Sequence, residues 1–292
     1  MIYMQGSFVD KIRSRNFVIT AEITPPKGSN PFNAIEDAAL IRNLVDAINI
    51  TDNNRGVMRM SPISLGKVLQ QQGYEPIIQM TCRDRNRLAL QSDLLGAAAL
   101  GLKNFCIMTG DHVSCGDHLG AKSVYDLDSV QLISMIRKME SGFDLSGNKL
   151  EDPPEFILGA VSNINPLKKG QMLKLRKKAT FGLDFIQTQA VYDTEMFKNF
   201  CKLIGDLETP IIAGIIPLKS ARMARFMNAN IPGIHIDGEI IDRLDMSKDP
   251  IQEGLDISCE IIKDISDICQ GIHLMPVGQH LNTQKLLKQA GF

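Results

Sequence analysis

Short apolar, β-branched runs bounded by turn residues recur along the chain at 17–24, 46–52, 76–81, 104–109, 156–161, 185–191, 210–216 and 272–277. Between them, apolar positions return every three or four residues at 35–45, 61–72, 85–100, 129–140, 168–179, 194–204, 220–228 and 251–268. That spacing predicts helices, so strand and helix alternate throughout. Parallel strands buried on both faces read as continuous apolar runs. Eight of them between amphipathic helices predict an α/β fold, a (β/α)8 TIM barrel forming a single domain over residues 1–292. The other α/β solution is a doubly wound open sheet. Its Rossmann form wants a glycine-rich turn after the first strand, and here Thr24-Pro25-Pro26-Lys27 follows instead. Two connections, after strands four and seven, are expected to be extended loops. In a barrel the first of them, 110–127, lies over the catalytic face.

Charge narrows the function classes. The 292 residues carry 32 Lys+Arg against 33 Asp+Glu, a formal net charge of -1, which speaks against a general nucleic-acid binder. Hydrophobic residues at 44% and charged residues at 22% suit a globular core. The longest apolar runs, such as 94–102, are too short to span a bilayer, so no membrane span is expected. Asp10, Lys11 and Arg13 interrupt the first 15 residues, which leaves no signal segment there and makes the cytoplasm the expected location. Six cysteines without a CxxC pair read as thiols and not as a disulfide framework. His112, Cys115 and His118 are metal-ligand types at three-residue intervals but lack a fourth ligand; a polar loop is the preferred reading and no metal site is expected.

Barrel chemistry gathers at the carboxyl ends of strands. The sequence places there Glu22 in Ala21-Glu22-Ile23-Thr24-Pro25-Pro26, Thr51-Asp52-Asn53, Gln79 and Thr81, Thr109-Gly110-Asp111, Ser162-Asn163-Ile164-Asn165-Pro166, and Gln187 with Gln189. A carboxylate within an apolar strand is costly unless paired or protonated. Glu22 is therefore either a tuned general acid or the structural partner of an Arg or Lys. Gln187 and Gln189 share the period of one strand face; they suit recognition of an amide or pterin edge, or an interior hydrogen-bond layer. Asp111 can set the charge beside a cofactor ring or simply form a turn. The run from Lys168 to Lys178 is a solvated helix face from which one lysine can reach a pyrophosphate.

Taken in order, these pieces, together with Met80-Thr81-Cys82, the stretch from Leu175 to Gln189 and Ala213-Gly214-Ile215-Ile216-Pro217, resemble the bacterial methylenetetrahydrofolate reductases over nearly the whole chain. The resemblance implies a flavin on the C-terminal face that passes hydride to 5,10-methylenetetrahydrofolate, giving 5-methyltetrahydrofolate. It implies that Glu22 is the general acid that opens the imidazolidine ring, that Asp111 lies near flavin and pterin, and that Gln189, with Gln187, binds substrate. Flavin contacts carried over are Thr51, Gln79, Thr109, Gly110, Asp111, Tyr125, Asn165 and Lys178. Gln79, Thr109 and Asn165 stand where relatives carry His, Arg and His, which leaves FMN open beside FAD. No aromatic ring follows Pro217 in Leu218-Lys219-Ser220-Ala221-Arg222, where NADH-using relatives place one. The short single-barrel relatives of acetogenic bacteria work beside a partner subunit with metal centres, so an electron-transfer partner, in a homo- or hetero-oligomer, is expected in place of direct NADH use. Two alternatives remain: a pterin barrel that transfers methyl to a corrinoid protein, and a non-catalytic scaffold subunit of a redox complex.

Overall fold

The computed structural model describes residues 7–231, 233–278 and 280–292; part of the N-terminal stretch read for a signal segment, residues 1–6, lies outside them. Eight strands, β1 (Val18–Ile23), β2 (Ala47–Ile50), β3 (Pro76–Thr81), β4 (Asn104–Met108), β5 (Ile157–Ser162), β6 (Phe185–Ala190), β7 (Ile211–Ile215) and β8 (Gly271–Leu274), close into a barrel in sequence order. Every neighbouring pair is parallel, and β8 pairs back onto β1. The barrel reading therefore holds and the open sheet does not.

The helices are α1 (Phe8–Arg13), α2 (Phe32–Leu40), α3 (Pro62–Gln71), α4 (Arg87–Ala99), α5 (Ser129–Glu140), α6 (Lys169–Ala179), α7 (Thr194–Ile204), α8 (Ala221–Asn230), α9 (Gly238–Met246), α10 (Pro250–Ile265) and α11 (His280–Ala290). Boundaries are sharpest where a cap fixes them. Asp128 and Gln131 form a reciprocal capping box at the start of α5, and the Asp193 carboxylate accepts from Met196 N at α7. The second helix starts and stops earlier than its periodicity suggests, and Asn43 in the left-handed region (φ 62) follows it.

Three helices lie outside the segments where the spacing predicts them. The first, α1, is six residues long. In α9 only Leu244 is buried, and in α11 two of the buried positions are His280 and Thr283. The connection after β7 carries α8 and α10, where helices are expected at 220–228 and 251–268, and adds α9 between them. Among the described residues no helix is long and apolar enough to cross a membrane.

Two apolar regions result from the alternation of side chains along the strands. The larger, including Ala21, Ile23, Ile48, Ile50, Ile78 and Ile107, fills the space between strands and helices. The smaller lies inside the barrel at its N-terminal end: Val18, Ala47, Ile77, Cys106, Phe185 and Ile212, closed from below by Phe8 and Ile12 of α1. Phe8 meets Phe185 edge to face at 5.6 Å. Gly159 makes room for that ring, since a Cβ there would lie 2.1 Å from it.

Candidate active site

Above the apolar plug the barrel interior turns polar. Thr20 and His273 face each other in register across β1 and β8, with Thr20 Oγ1 2.9 Å from His273 Nδ1. Asn49 of β2 donates through Nδ2 to Gln187 Oε1 of β6. Gln187 is thus part of an interior hydrogen-bond layer. One step nearer the C-terminal face stands Glu22, whose Oε2 accepts from Gln79 Nε2 at 3.3 Å and lies 3.9 Å from His273 Nε2. Its side chain is 19% exposed. Among the described residues no Arg or Lys forms an ion pair with it, so the structural-partner reading does not account for this carboxyl.

Glu22 opens onto a cavity of 670 Å³ whose walls include Arg55, Arg59, Cys115, Asp117 and His280. That volume is in the range of small-molecule sites. The loops after β2 and β4 meet over this mouth. A Cβ on Gly116 would lie 1.9 Å from Gly56 O, so only glycine permits the approach. Arg55 is held in the left-handed region (φ 56), and its guanidinium stands 5.8 Å from the Phe226 ring centroid of α8. Backbone strain of this kind collects at working sites. Arg59 donates to Pro25 O, and its buried Nε has no partner.

The other expected residues fall into separate groups. Thr51 is buried beside this mouth and its hydroxyl has no partner. Thr109, Gly110, Asp111 and Tyr125 form a second group, on the loop after β4. Tyr125 donates its hydroxyl to the carbonyls of Gly110 (3.2 Å) and Asp111 (3.1 Å), and burial raises its pKa. Thr109 Oγ1 accepts from Lys174 Nζ at 3.3 Å. Gly110 takes φ +84, and a Cβ there would lie 2.9 Å from Thr81 Cβ. A third group is Asn163, Asn165 and Gln189. Asn163 Nδ2 donates to Gln189 Oε1 at 2.8 Å, and Asn165 Oδ1 accepts from Leu167 N in a turn. Between Gln187 and Ala190 the register shifts by one residue against β7, a bulge that offsets Gln189 from the simple alternation expected of that strand.

Lys178 of α6 stands apart, 6% exposed, with Nζ on Val161 O at 3.0 Å. Burial, and then Lys174, pull its pKa down to about 8. The thiols of Cys82 and Cys106 nearby are pushed up to about 12 by burial. In the loop after β4, His112 bonds Ser114 and His118 bonds Asp117, while Cys115 is exposed. Among the described residues no group of three or more His, Cys, Asp or Glu could hold a metal ion.

Asp52 apart, sequence reasoning passed over the residues that stitch this face together. Arg83, buried to 1%, donates to the Asp84 carboxylate and to the carbonyls of Asn53 and Asp111, joining the loops after β2, β3 and β4. Burial opposes its charge, but the Asp84 bond more than offsets this and its pKa rises. Asp52, a strand-end carboxylate, is spent on a bidentate pair with Arg85 (2.7 and 3.0 Å) and on Thr81. The run Arg83-Asp84-Arg85-Asn86-Arg87 right after an apolar strand was the available signal. His273 was signalled only by parity: a lone imidazole in Gly271-Ile272-His273-Leu274, set opposite Thr20 once the barrel closes.

Similarity to known proteins identifies the family and the fold. The family model described as methylenetetrahydrofolate reductase matches residues 7–291. Methylenetetrahydrofolate reductase 2 of Schizosaccharomyces pombe is 25% identical over 309 aligned residues, covering 97% of this chain and 47% of that protein. A probable NADPH-dependent methylenetetrahydrofolate reductase of Caenorhabditis elegans is 25% identical over 75% of this chain and 33% of its own length. The chain thus spans about half or less of the length of these relatives. Among solved structures, an uncharacterized Clostridium thermocellum protein that binds two copies of 5-methyl-5,6,7,8-tetrahydrofolic acid superposes with a TM-score of 0.68 at 18% identity, over 96% of both chains. That likeness establishes the shared fold.

Proposed function

Because the chain belongs to the methylenetetrahydrofolate reductase family, with residues 7–291 matched, we propose that it reduces 5,10-methylenetetrahydrofolate to 5-methyltetrahydrofolate. One observation carries the reading: a half-buried carboxyl at the end of β1, without an Arg or Lys partner among the described residues, open to a ligand-sized cavity. Glu22 in its acid form gives its proton to the imidazolidine nitrogen that leaves. The bond from that nitrogen to the methylene carbon breaks, and its electron pair stays on the nitrogen. An iminium carbon results, ready for hydride. Gln79 keeps the carboxyl oriented toward the cavity, and a positioned general acid contributes about 10²–10⁴ in rate.

The residues fit a flavin as the hydride source. Thr51 offers an unspent buried hydroxyl, Gly110 a turn at φ +84 packed on Thr81 and Arg83, and the Lys178 ammonium donors beyond the single one it uses. Thr109, Tyr125 and Asn165 complete the proposed cradle, with Asp111 beside the flavin and Gln189 toward the substrate, above the layer in which Gln187 pairs with Asn49. When bound, the flavin supplies hydride to the methylene carbon. FAD is the family's cofactor, and the same set would hold FMN. Electrons are proposed to come from a partner subunit: residues 218–222 carry no ring, and the ring that α8 does present, Phe226, faces Arg55. Rapid reduction of the isolated chain by NADH would overturn that part.

The experiment is product formation. The protein, reconstituted with flavin and reduced with dithionite under anaerobic conditions, is mixed with 5,10-methylenetetrahydrofolate and the folates are separated. One equivalent of 5-methyltetrahydrofolate per flavin is expected. Absence of that product from a flavin-loaded sample would sink the reading.

A further inference from the structure

His273 is an imidazole that the proposed chemistry has not used. It is fully buried on β8. Thr20 lies in register with it on β1, and the contact from Thr20 Oγ1 to Nδ1 at 2.9 Å fixes the ring. The other nitrogen, Nε2, is buried and has no hydrogen-bond partner, a costly state for a polar atom. Glu22 Oε2 lies 3.9 Å from it. The one side-chain hydrogen bond to that carboxyl among the described residues comes from Gln79, at 3.3 Å. About 1 Å of side-chain movement would bring Nε2 and the carboxyl into a hydrogen bond.

We infer that His273 is a positioning residue for Glu22. Thr20 donates its hydroxyl proton to Nδ1, so Nε2 carries the ring proton and donates it to the Glu22 carboxylate. The inference rests on the reading of Glu22 as the general acid. Once its proton has passed to the leaving nitrogen, Glu22 is an anion to which no Arg or Lys among the described residues is paired. Nε2–H supplies a donor for that charge from a neutral ring, so no buried cation is required. Thr20 and His273 sit in register on adjacent strands, so the donor is already in place when the charge forms and little has to reorganise.

Nitrogen NMR of the histidine rings tests this without turnover, on the whole chain, comparing wild type with Glu22→Gln and assigning His273 by its loss in His273→Gln. The expected result is a ring protonated on Nε2 whose Nε2 resonance moves in Glu22→Gln, while those of exposed His112 and His118 stay in place. A ring protonated on Nδ1, or an Nε2 resonance indifferent to Glu22→Gln, overturns the inference.

Single-turnover reoxidation of the reduced flavin by methylenetetrahydrofolate supplies the second readout. His273→Gln keeps an amide donor near Nε2 and should stay within about threefold of wild type. His273→Leu should lose about 10–100-fold, a fraction of a full general-acid effect, with its affinity for 5-methyltetrahydrofolate unchanged. In Glu22→Gln/His273→Leu the loss should equal that of Glu22→Gln alone, as for residues acting as one unit. A Leu variant as fast as wild type, or losses that multiply, overturns the pairing. Should the Leu variant fail to fold, the NMR comparison decides. A flavin-loaded wild type that is not reoxidised, with the ring resonance still tied to Glu22, would support the pairing and overturn the functional reading.

Discussion

The two ends of the barrel interior are made of opposite materials. At the N-terminal end Val18, Ile77, Phe185 and Ile212 pack against Phe8 and Ile12 of α1, an apolar plug beside which Asn104, at the start of β4, carries a buried Oδ1 without a partner. At the C-terminal end the same strands present Glu22, Thr51, Gln79 and Gln187, and polar atoms there are left without partners: Thr51 Oγ1, His273 Nε2 and the Nε of Arg59. The distance between the two ends is only a few residues along each strand. An apolar end stabilises by burial alone, whereas unpaired buried donors and acceptors cost stability and are retained where a ligand can satisfy them. The lower end holds the fold, and the upper end is kept for chemistry.

Breaking each end separately should separate the two roles. The largest effect belongs to the top. Glu22→Gln should lower the rate of folate reduction by about 10²–10⁴ with little change in melting temperature, since its carboxyl makes no ion pair with Arg or Lys among the described residues; kinetics beside thermal unfolding checks both halves. Next comes the bottom. Phe185→Ala removes a fully buried ring and should cost about 3–5 kcal/mol of stability, measured by denaturant unfolding, while turnover per folded molecule stays at the wild-type level.

Lys178 gives an intermediate effect. Its pKa falls to about 8 in the folded protein, below its unfolded value, so between these two pH values the unfolded chain binds more protons and stability rises with pH. The cost of the buried charge is present in full below pH 8. Lys178→Met should therefore stabilise the flavin-free protein at pH 7 by up to about 3 kcal/mol and abolish the rise of stability from pH 8 to pH 10. Unfolding curves across that range check the slope, and flavin titration should show weaker binding. The smallest effect is expected of Thr51→Val. The hydroxyl is buried without a partner, so removing it should stabilise the flavin-free protein by about 1 kcal/mol, while flavin affinity falls about fivefold, the worth of one hydrogen bond. A clear loss of stability with flavin binding intact would place that hydroxyl with the fold instead.

The contrast also explains what the sequence made legible. All eight strands could be read, because a strand buried on both sides is an unbroken apolar run whichever end of the barrel it feeds. Glu22 could be read because it interrupts such a run. Residues whose meaning depends on closure could not. His273 acquires Thr20 and Glu22 as neighbours only when β8 pairs with β1. Arg83 becomes a stitch between three loops only when those loops converge. Arg55 and Arg59 lie in a loop with no periodicity, and nothing local marks them as cavity walls. The sequence reading also passed over α9 and α11, although Ile240, Ile241 and Leu244 of α9 share one helix face and pack toward the core. Local pattern reports which residues are buried; chemistry depends on which of them meet.

The most direct test of the account is anaerobic and compares two proteins. Wild type and Glu22→Gln, each loaded with flavin and fully reduced, are mixed rapidly with 5,10-methylenetetrahydrofolate while flavin absorbance is followed. The account predicts prompt reoxidation in the wild type and a rate lower by about 10²–10⁴ in the variant, with both folded and both retaining flavin. Equal rates in the two would contradict it, because the carboxyl at the top of the barrel would then be doing no chemistry.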